Sequence, residues 1–152
     1  YNCDRLIEIT DFLVKLGVQR IKFNFLEFVG RAKQNKEIFL TLTSATKELN
    51  HVIEKFSTRA SIFFDGFPLC AVRSKNFLDL KRMGINYISD SFKENFNMVD
   101  HSNRSKFDFC SDCKIDSCPG IYGAYVQAFG YDKVRAEIKK LKEDNHYFYK
   151  DN

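Results

Sequence analysis

Apolar residues in the first part of the chain recur with the period of a helix and then with that of a strand. A spacing of three to four residues predicts a helix over residues 4–16, which Asp4 caps and Gly17 ends. Its apolar positions are Leu6, Ile9, Leu13 and Leu16. Apolar and polar side chains then alternate over residues 21–25, which predicts a strand.

The same two periods return in the next stretch. A second helix is predicted to begin at Ser44 or Thr46, and a compact strand follows over residues 60–64. The apolar stripe of this helix consists of Leu49, Val52, Ile53 and Phe56. The order helix, strand, helix, strand is typical of a parallel α/β sheet or barrel, where working residues lie at the C-terminal ends of strands. Cys70 is predicted to lie at such an end.

The regular periodicity is lost after Cys70. Residues 90–109 are largely polar and are predicted to form a long surface loop. Apolar stripes predict a helix that ends at Gly130 and a last helix that begins at Asp132. The solvated face of that last helix is predicted to include Lys139, Lys140 and Lys142, and the tail is predicted to fray over residues 145–152.

Composition limits the class of protein. Of 152 residues, 44% are apolar, which is enough for a core. The net charge of +4 is spread along the chain without a basic stripe, so we expect no nucleic-acid partner. No apolar run approaches the ~20 residues that cross a bilayer, and no signal peptide begins the chain, so we expect no membrane association. The first residue is not Met, which indicates a piece of a longer protein.

Three of the five cysteines form the main chemical signal. Cys110, Cys113 and Cys118 have the spacing C-x2-C-x4-C, and Pro119 and Gly120 follow them. Such spacing lets three thiolates point into one small volume, as three corners of a tetrahedral sulfur site. An odd number of cysteines, three of them bunched, is not the pattern of a secreted disulfide framework and favours a reducing, cytoplasmic setting.

The fourth ligand of such a site is either Cys70 or Cys3. Cys70 is favoured because a strand end delivers its side chain, whereas Cys3 lies near the first residue. Two metals suit four thiolates, namely structural zinc and an iron–sulfur cluster. The cluster is favoured because zinc sites prefer paired C-x2-C knuckles, and this chain has one such pair. The alternative is a non-catalytic binding domain stapled by zinc.

Three segments resemble the C-terminal portion of a radical S-adenosylmethionine (radical SAM) enzyme with an auxiliary 4Fe–4S cluster in a SPASM or twitch-like extension. Residues 21–32 resemble a late barrel strand and its loop, and residues 67–70 resemble the segment that supplies one cluster cysteine. Residues 110–130 resemble the C-x2-C-x4/5-C-x-G segment and the aromatic helix after it.

The resemblance implies a fold and a set of site residues. The implied α/β fold consists of the last strands and helices of a partial (β/α) barrel over residues 1–75. A small irregular α-helical cluster-binding extension follows over residues 76–152. The implied metal ligands are Cys70, Cys110, Cys113 and Cys118. Asn24 and Arg31 are implied to lie where such enzymes approach S-adenosylmethionine.

The chain departs from that family at its defining motif. The C-x3-C-x2-C sequence, which holds the catalytic cluster, is absent. The resemblance therefore implies that S-adenosylmethionine and a second 4Fe–4S cluster bind only together with a missing N-terminal half of the barrel. It also implies a protein reductant and a substrate that is often a peptide. This chain is not expected to be catalytically competent alone.

Overall fold

The computed structural model describes residues 2–27, 30–74 and 103–145. The helices in these ranges are α1 (Leu6–Lys15), α2 (Leu42–Phe56), α3 (Gly123–Phe129) and α4 (Tyr131–Asp144). The strands in the same ranges are β1 (Arg20–Asn24), β2 (Ser61–Asp65), β3 (Arg104–Ser105) and β4 (Ile121–Tyr122). This mixture confirms an α/β protein in the general sense. None of the helices seen in this part of the chain has both the length and the apolar character to cross a membrane.

The end of α1 was predicted correctly and its beginning was not. Asp4 does not cap α1, because it lies within a short 3-10 turn that precedes the helix. Gly17 ends α1 with a φ of +85°, a conformation that favours glycine. The Gly17 amide donates to Val14 O at 3.0 Å, and the Val18 amide donates to Leu13 O at 3.0 Å. This double hydrogen bond is a Schellman motif, which satisfies the last carbonyls of the helix.

β1, α2 and β2 form a βαβ unit with the predicted element order. β1 and β2 are parallel, and their register runs from Arg20 opposite Ser61 to Asn24 opposite Asp65. The two strands therefore end together, and the segments that follow them emerge at one edge of the sheet. Cys70 lies in one of these segments.

α2 begins earlier than either predicted residue. Thr41 is its N-cap, in an extended conformation, and its hydroxyl accepts a hydrogen bond from the Ser44 amide at 3.2 Å. Ser44 and Thr46 were both plausible caps by residue type, but they lie inside the helix. The correction adds almost a full turn to α2 and places Leu42, which is completely buried, at its first position.

β3 and β4 were not predicted. They form an antiparallel pair in which Arg104 lies opposite Tyr122 and Ser105 opposite Ile121. The predicted extension is therefore not purely α-helical. The pair encloses residues 106–120 and so fixes the two ends of the cysteine-rich segment. Of the loop predicted over residues 90–109, residues 90–102 lie outside the described ranges.

One hydrophobic cluster includes buried residues from both predicted parts of the chain. Phe64 on β2 and Tyr125 on α3 are both completely buried in it, and Ile138 on α4 is nearly so. The rings of Phe25 and Tyr125 lie 5.5 Å apart, so a residue after β1 packs directly on α3. The predicted boundary between residues 75 and 76 lies outside the described residues.

Candidate metal centre

The three bunched cysteines lie on consecutive turns of the segment between β3 and β4. The Cys110 amide donates to Phe107 O at 2.8 Å, and the Cys113 amide donates to Cys110 O at 3.0 Å. A second turn follows, in which the Cys118 amide donates to Ile115 O at 3.2 Å. Cys110 and Cys113 are half-buried, whereas Cys118 is buried.

Cys70 reaches the same place from the opposite part of the chain. It lies in the 3-10 turn Leu69–Ala71, which follows β2 as predicted. The backbone amide of Leu69 donates to Cys118 Sγ at 3.3 Å, so the Cys70 turn and the cysteine segment are in direct contact. The five cysteines of the chain, including these four, are free thiols.

The electrostatics of the thiols also indicate that the four cysteines are neighbours. Burial, and to a smaller extent the charges of Cys118, Cys113 and Cys110, raise the pKa of Cys70 to about 12. Burial is likewise the main reason that the pKa of Cys110 is raised. A metal that binds here must displace the proton that the buried Cys70 thiol holds firmly.

Proximity of the thiols is not the same as coordination geometry. Within residues 2–27, 30–74 and 103–145, no group of three or more His, Cys, Asp and Glu side chains is arranged to hold a metal ion. The charge interactions of Cys70 with Cys118, Cys113 and Cys110 indicate that the four thiols are neighbours. As a donor set, four thiols fit a thiolate-bound zinc ion or an iron–sulfur cluster, provided that the sulfurs close around it.

Two buried asparagines hold the Cys70 turn. Asn145 Nδ2 donates to Cys70 O at 3.2 Å and to Ala71 O at 2.9 Å. Asn50 Nδ2 on α2 donates to the same Ala71 carbonyl at 3.2 Å, and Asn50 Oδ1 accepts from the Arg73 amide at 2.8 Å. Asn145 is only 3% exposed, so the predicted fraying was wrong for this residue, and the rest of the predicted tail, residues 146–152, lies outside the described ranges.

Replacing Asn145 with alanine is expected to lower the free energy of unfolding by about 2 kcal/mol, because the buried Cys70 carbonyl loses the Asn145 donor and Ala71 O keeps only the one from Asn50. Urea unfolding followed by circular dichroism measures this change. Asn35→Ala is the matched control, since Asn35 is exposed and donates to Arg31 O at 3.1 Å. The control is expected to change stability by less than about 0.5 kcal/mol. Equal effects of the two substitutions would contradict the anchoring role of Asn145.

Two lysines hold the cysteine segment. Lys142 Nζ on α4 donates to Phe109 O at 2.9 Å and to Asp112 Oδ1 at 2.6 Å. Lys106 Nζ donates to Ile115 O at 3.1 Å and to Asp116 O at 3.3 Å. The first lysine thus fixes the turn that contains Cys110 and Cys113, and the second fixes the turn before Cys118. The predicted solvated face is confirmed for Lys139 and Lys140, which are exposed, and was wrong for Lys142.

Lys142 and Asp112 each stabilise the charged form of the other. The hydrogen bond from Lys142 lowers the pKa of the Asp112 carboxyl group. Partial burial acts to lower the pKa of Lys142, but Asp112 and the thiols of Cys113 and Cys70 outweigh it, so that the pKa is raised. Lys142 therefore stays charged beside the cysteines.

The remaining predicted site residues lie elsewhere. Asn24 ends β1 and is exposed, and Arg31 is exposed in the 3-10 turn Gly30–Gln34. Their role toward a cofactor stays a prediction. Cys3 lies in the 3-10 turn before α1 and is half-buried.

No family model, no curated protein and no solved structure matches this chain.

Proposed function

We propose that this chain is the auxiliary-cluster part of a radical SAM enzyme and that its four clustered cysteines hold a 4Fe–4S cluster. One observation carries the proposal, namely that Cys70 and the segment from Cys110 to Cys118 meet although 40 residues separate them. The hydrogen bond from the Leu69 amide to Cys118 Sγ, at 3.3 Å, joins these two segments directly. Four thiols from two separate segments of the chain are the donor set that a cubane cluster uses.

The residues of the chain have separate tasks in this proposal. Cys70, Cys110, Cys113 and Cys118 bind the irons. Asn145 and Asn50 orient the Cys70 turn, and burial of Cys70 and Cys118 excludes water from one side of the site. A bound cluster would supply a one-electron redox centre. The parallel β1–β2 pair with its α2 crossover supports the further proposal that this part of the chain completes a (β/α) barrel.

The larger enzyme is part of the proposal. S-adenosylmethionine and a second 4Fe–4S cluster would bind to an N-terminal half that carries the C-x3-C-x2-C motif. Asn24 and Arg31, which are both exposed, would contribute to that cofactor site. A peptide substrate and a protein reductant would be the partners, in a reducing, cytoplasmic compartment.

Anaerobic reconstitution of the chain with ferrous iron and sulfide tests the proposal. The wild-type chain is expected to take up about four irons and four sulfides with a broad visible absorbance. Cys113→Ser and Cys70→Ala are expected to lose most of the iron. Cys113→Ser is the cleaner variant because its half-buried side chain leaves the core intact. Cys3→Ser is the control and is expected to keep the iron.

Two results would contradict parts of the proposal. Binding of one zinc ion per chain without iron uptake would support the zinc-stapled binding domain instead. Loss of iron in Cys3→Ser with retention in Cys70→Ala would show that the fourth ligand was assigned wrongly. Circular dichroism of each variant separates loss of ligand from loss of fold.

A further inference from the structure

The last turn of α4 contacts both parts of the cysteine site. Lys142 Nζ donates to Phe109 O at 2.9 Å and to Asp112 Oδ1 at 2.6 Å. These two residues flank Cys110 and Ser111 in the sequence. Asn145, three residues further along, reaches Cys70 O at 3.2 Å. One helix end therefore fixes the distance between the Cys70 turn and the Cys110 turn.

The two charges in this contact are not equally screened by water. The Lys142 side chain is 21% exposed, whereas the Asp112 side chain is 78% exposed. An exposed carboxylate is screened more strongly than a partly buried ammonium group. The pair therefore leaves a net positive field on the side of the cysteines, although it is formally neutral. Asp108 and Asp116 are exposed as well, so they weaken this field little.

We propose that Lys142 is a positioning residue for the bound cluster and that its charge favours the reduced, more negatively charged state. This inference rests on the proposed function, because it requires a redox centre held by the four cysteines. Four thiolates give the oxidised cluster a net negative charge, and reduction adds one more. A fixed cation near the sulfurs stabilises the more negative state and so raises the reduction potential.

Potentiometric titration of the reconstituted chain tests the proposal. In the titration, one electron passes from dithionite to the bound cluster, with no bond made or broken and no proton transferred. Lys142→Met is expected to lower the midpoint potential by about 59 mV, which corresponds to a tenfold shift of a one-electron equilibrium. Asp112→Asn is expected to raise it, because the opposing charge is removed. Lys140→Met, an exposed lysine on the same helix, is the control and is expected to leave it unchanged.

Opposite shifts of the reduction potential in the two variants distinguish an effect of the Lys142 charge from a purely structural role. If Lys142 and Asp112 only held the turn, both variants would lose iron or shift the potential in the same direction, and the proposal would be overturned. If Lys142→Met loses iron while Asp112→Asn binds the cluster and has a raised reduction potential, the proposal is supported. If the wild-type chain loads iron and Lys142→Met has the wild-type potential, this inference alone fails. If the wild-type chain loads no iron, the proposed function fails and this inference fails with it.

Discussion

Replacing Gly120 with alanine is expected to lower the free energy of unfolding by about 4 kcal/mol and, under the proposed function, to abolish iron uptake by the chain. Gly120 has a φ of +91°, and it immediately precedes β4, two residues after Cys118. A methyl group at this position would overlap the backbone carbonyl of Ser105 on β3 and crowd the amide of Lys106. Neither is a flexible side chain that can swing aside.

Two penalties combine at Gly120. A non-glycine residue at positive φ costs about 1–3 kcal/mol in backbone strain. Overlap with a neighbouring backbone costs about 1–3 kcal/mol more, as in an overpacked core. Since β3 and β4 each contain two residues, separation of the strands at this point removes the ladder that encloses the cysteine segment. Cys118 would then lose its place beside Leu69.

Gly130→Ala is the matched control for Gly120→Ala. Gly130 has a φ of +88°, but an added methyl group there meets nothing within 4 Å. Both variants place alanine at a positive φ, so we expect their difference in urea unfolding to come mainly from the overlap with β3. We expect Gly130→Ala to be the more stable variant and, under the proposed function, to take up iron as the wild-type chain does. Equal stability of the two would show that β3 and β4 are not packed as described.

The elements that were predictable from the sequence depend on local periodicity. The alternation that begins at Ile21 predicted β1, and the stripe that contains Leu49 and Phe56 predicted α2, because a repeating pattern marks the buried face of an element. The start of α2 was missed because Thr41, Ser44 and Thr46 all have side chains that cap helices. Only the extended backbone at Thr41 distinguishes it from the other two.

The residues that support the cysteine site were missed because their contacts are not local. β3 and β4 are too short to show a period, and they pair only because the segment between them folds back. Lys142 was assigned to a solvated face, as lysines on amphipathic helices usually are. A usable signal existed for Asn145, since it continues the buried spacing of Val134, Ile138 and Leu141 on α4. A polar residue at the end of an apolar stripe indicates a buried anchor.

Replacing Tyr125 with phenylalanine is expected to lower the free energy of unfolding by about 3 kcal/mol, although only one oxygen atom is removed. The completely buried hydroxyl accepts from the Leu42 amide at 2.6 Å and donates to Glu137 Oε2 at 2.9 Å. Leu42 is the first residue of α2, whose amide has no partner within its own helix. The hydroxyl therefore connects α2, α3 and α4 through a single atom.

The expected loss of stability in Tyr125→Phe arises because the hydrogen-bonding partners of the hydroxyl stay in the core without it. The Leu42 amide is completely buried, and leaving such a donor unsatisfied costs about 1–3 kcal/mol. Glu137 keeps a hydrogen bond from Thr43 Oγ1 at 3.3 Å, which limits the cost on that side. Burial is the main reason that the pKa of Tyr125 is raised, so the hydroxyl keeps the proton that it donates.

Tyr131→Phe is the matched control, because Tyr131 is 37% exposed and its ring contacts with Phe107 and Phe109 do not need the hydroxyl. Its effect is expected to stay within about 0.5 kcal/mol. The rings of Phe25 and Phe129 remain in place around position 125 in Tyr125→Phe, so the packing of the core is preserved. Urea unfolding of the two variants therefore compares a buried hydroxyl with an exposed one. If both substitutions were neutral, the amide of Leu42 would have to donate to water or to another acceptor. The hydrogen bond between α2 and α3 would then contribute nothing to the free energy of unfolding.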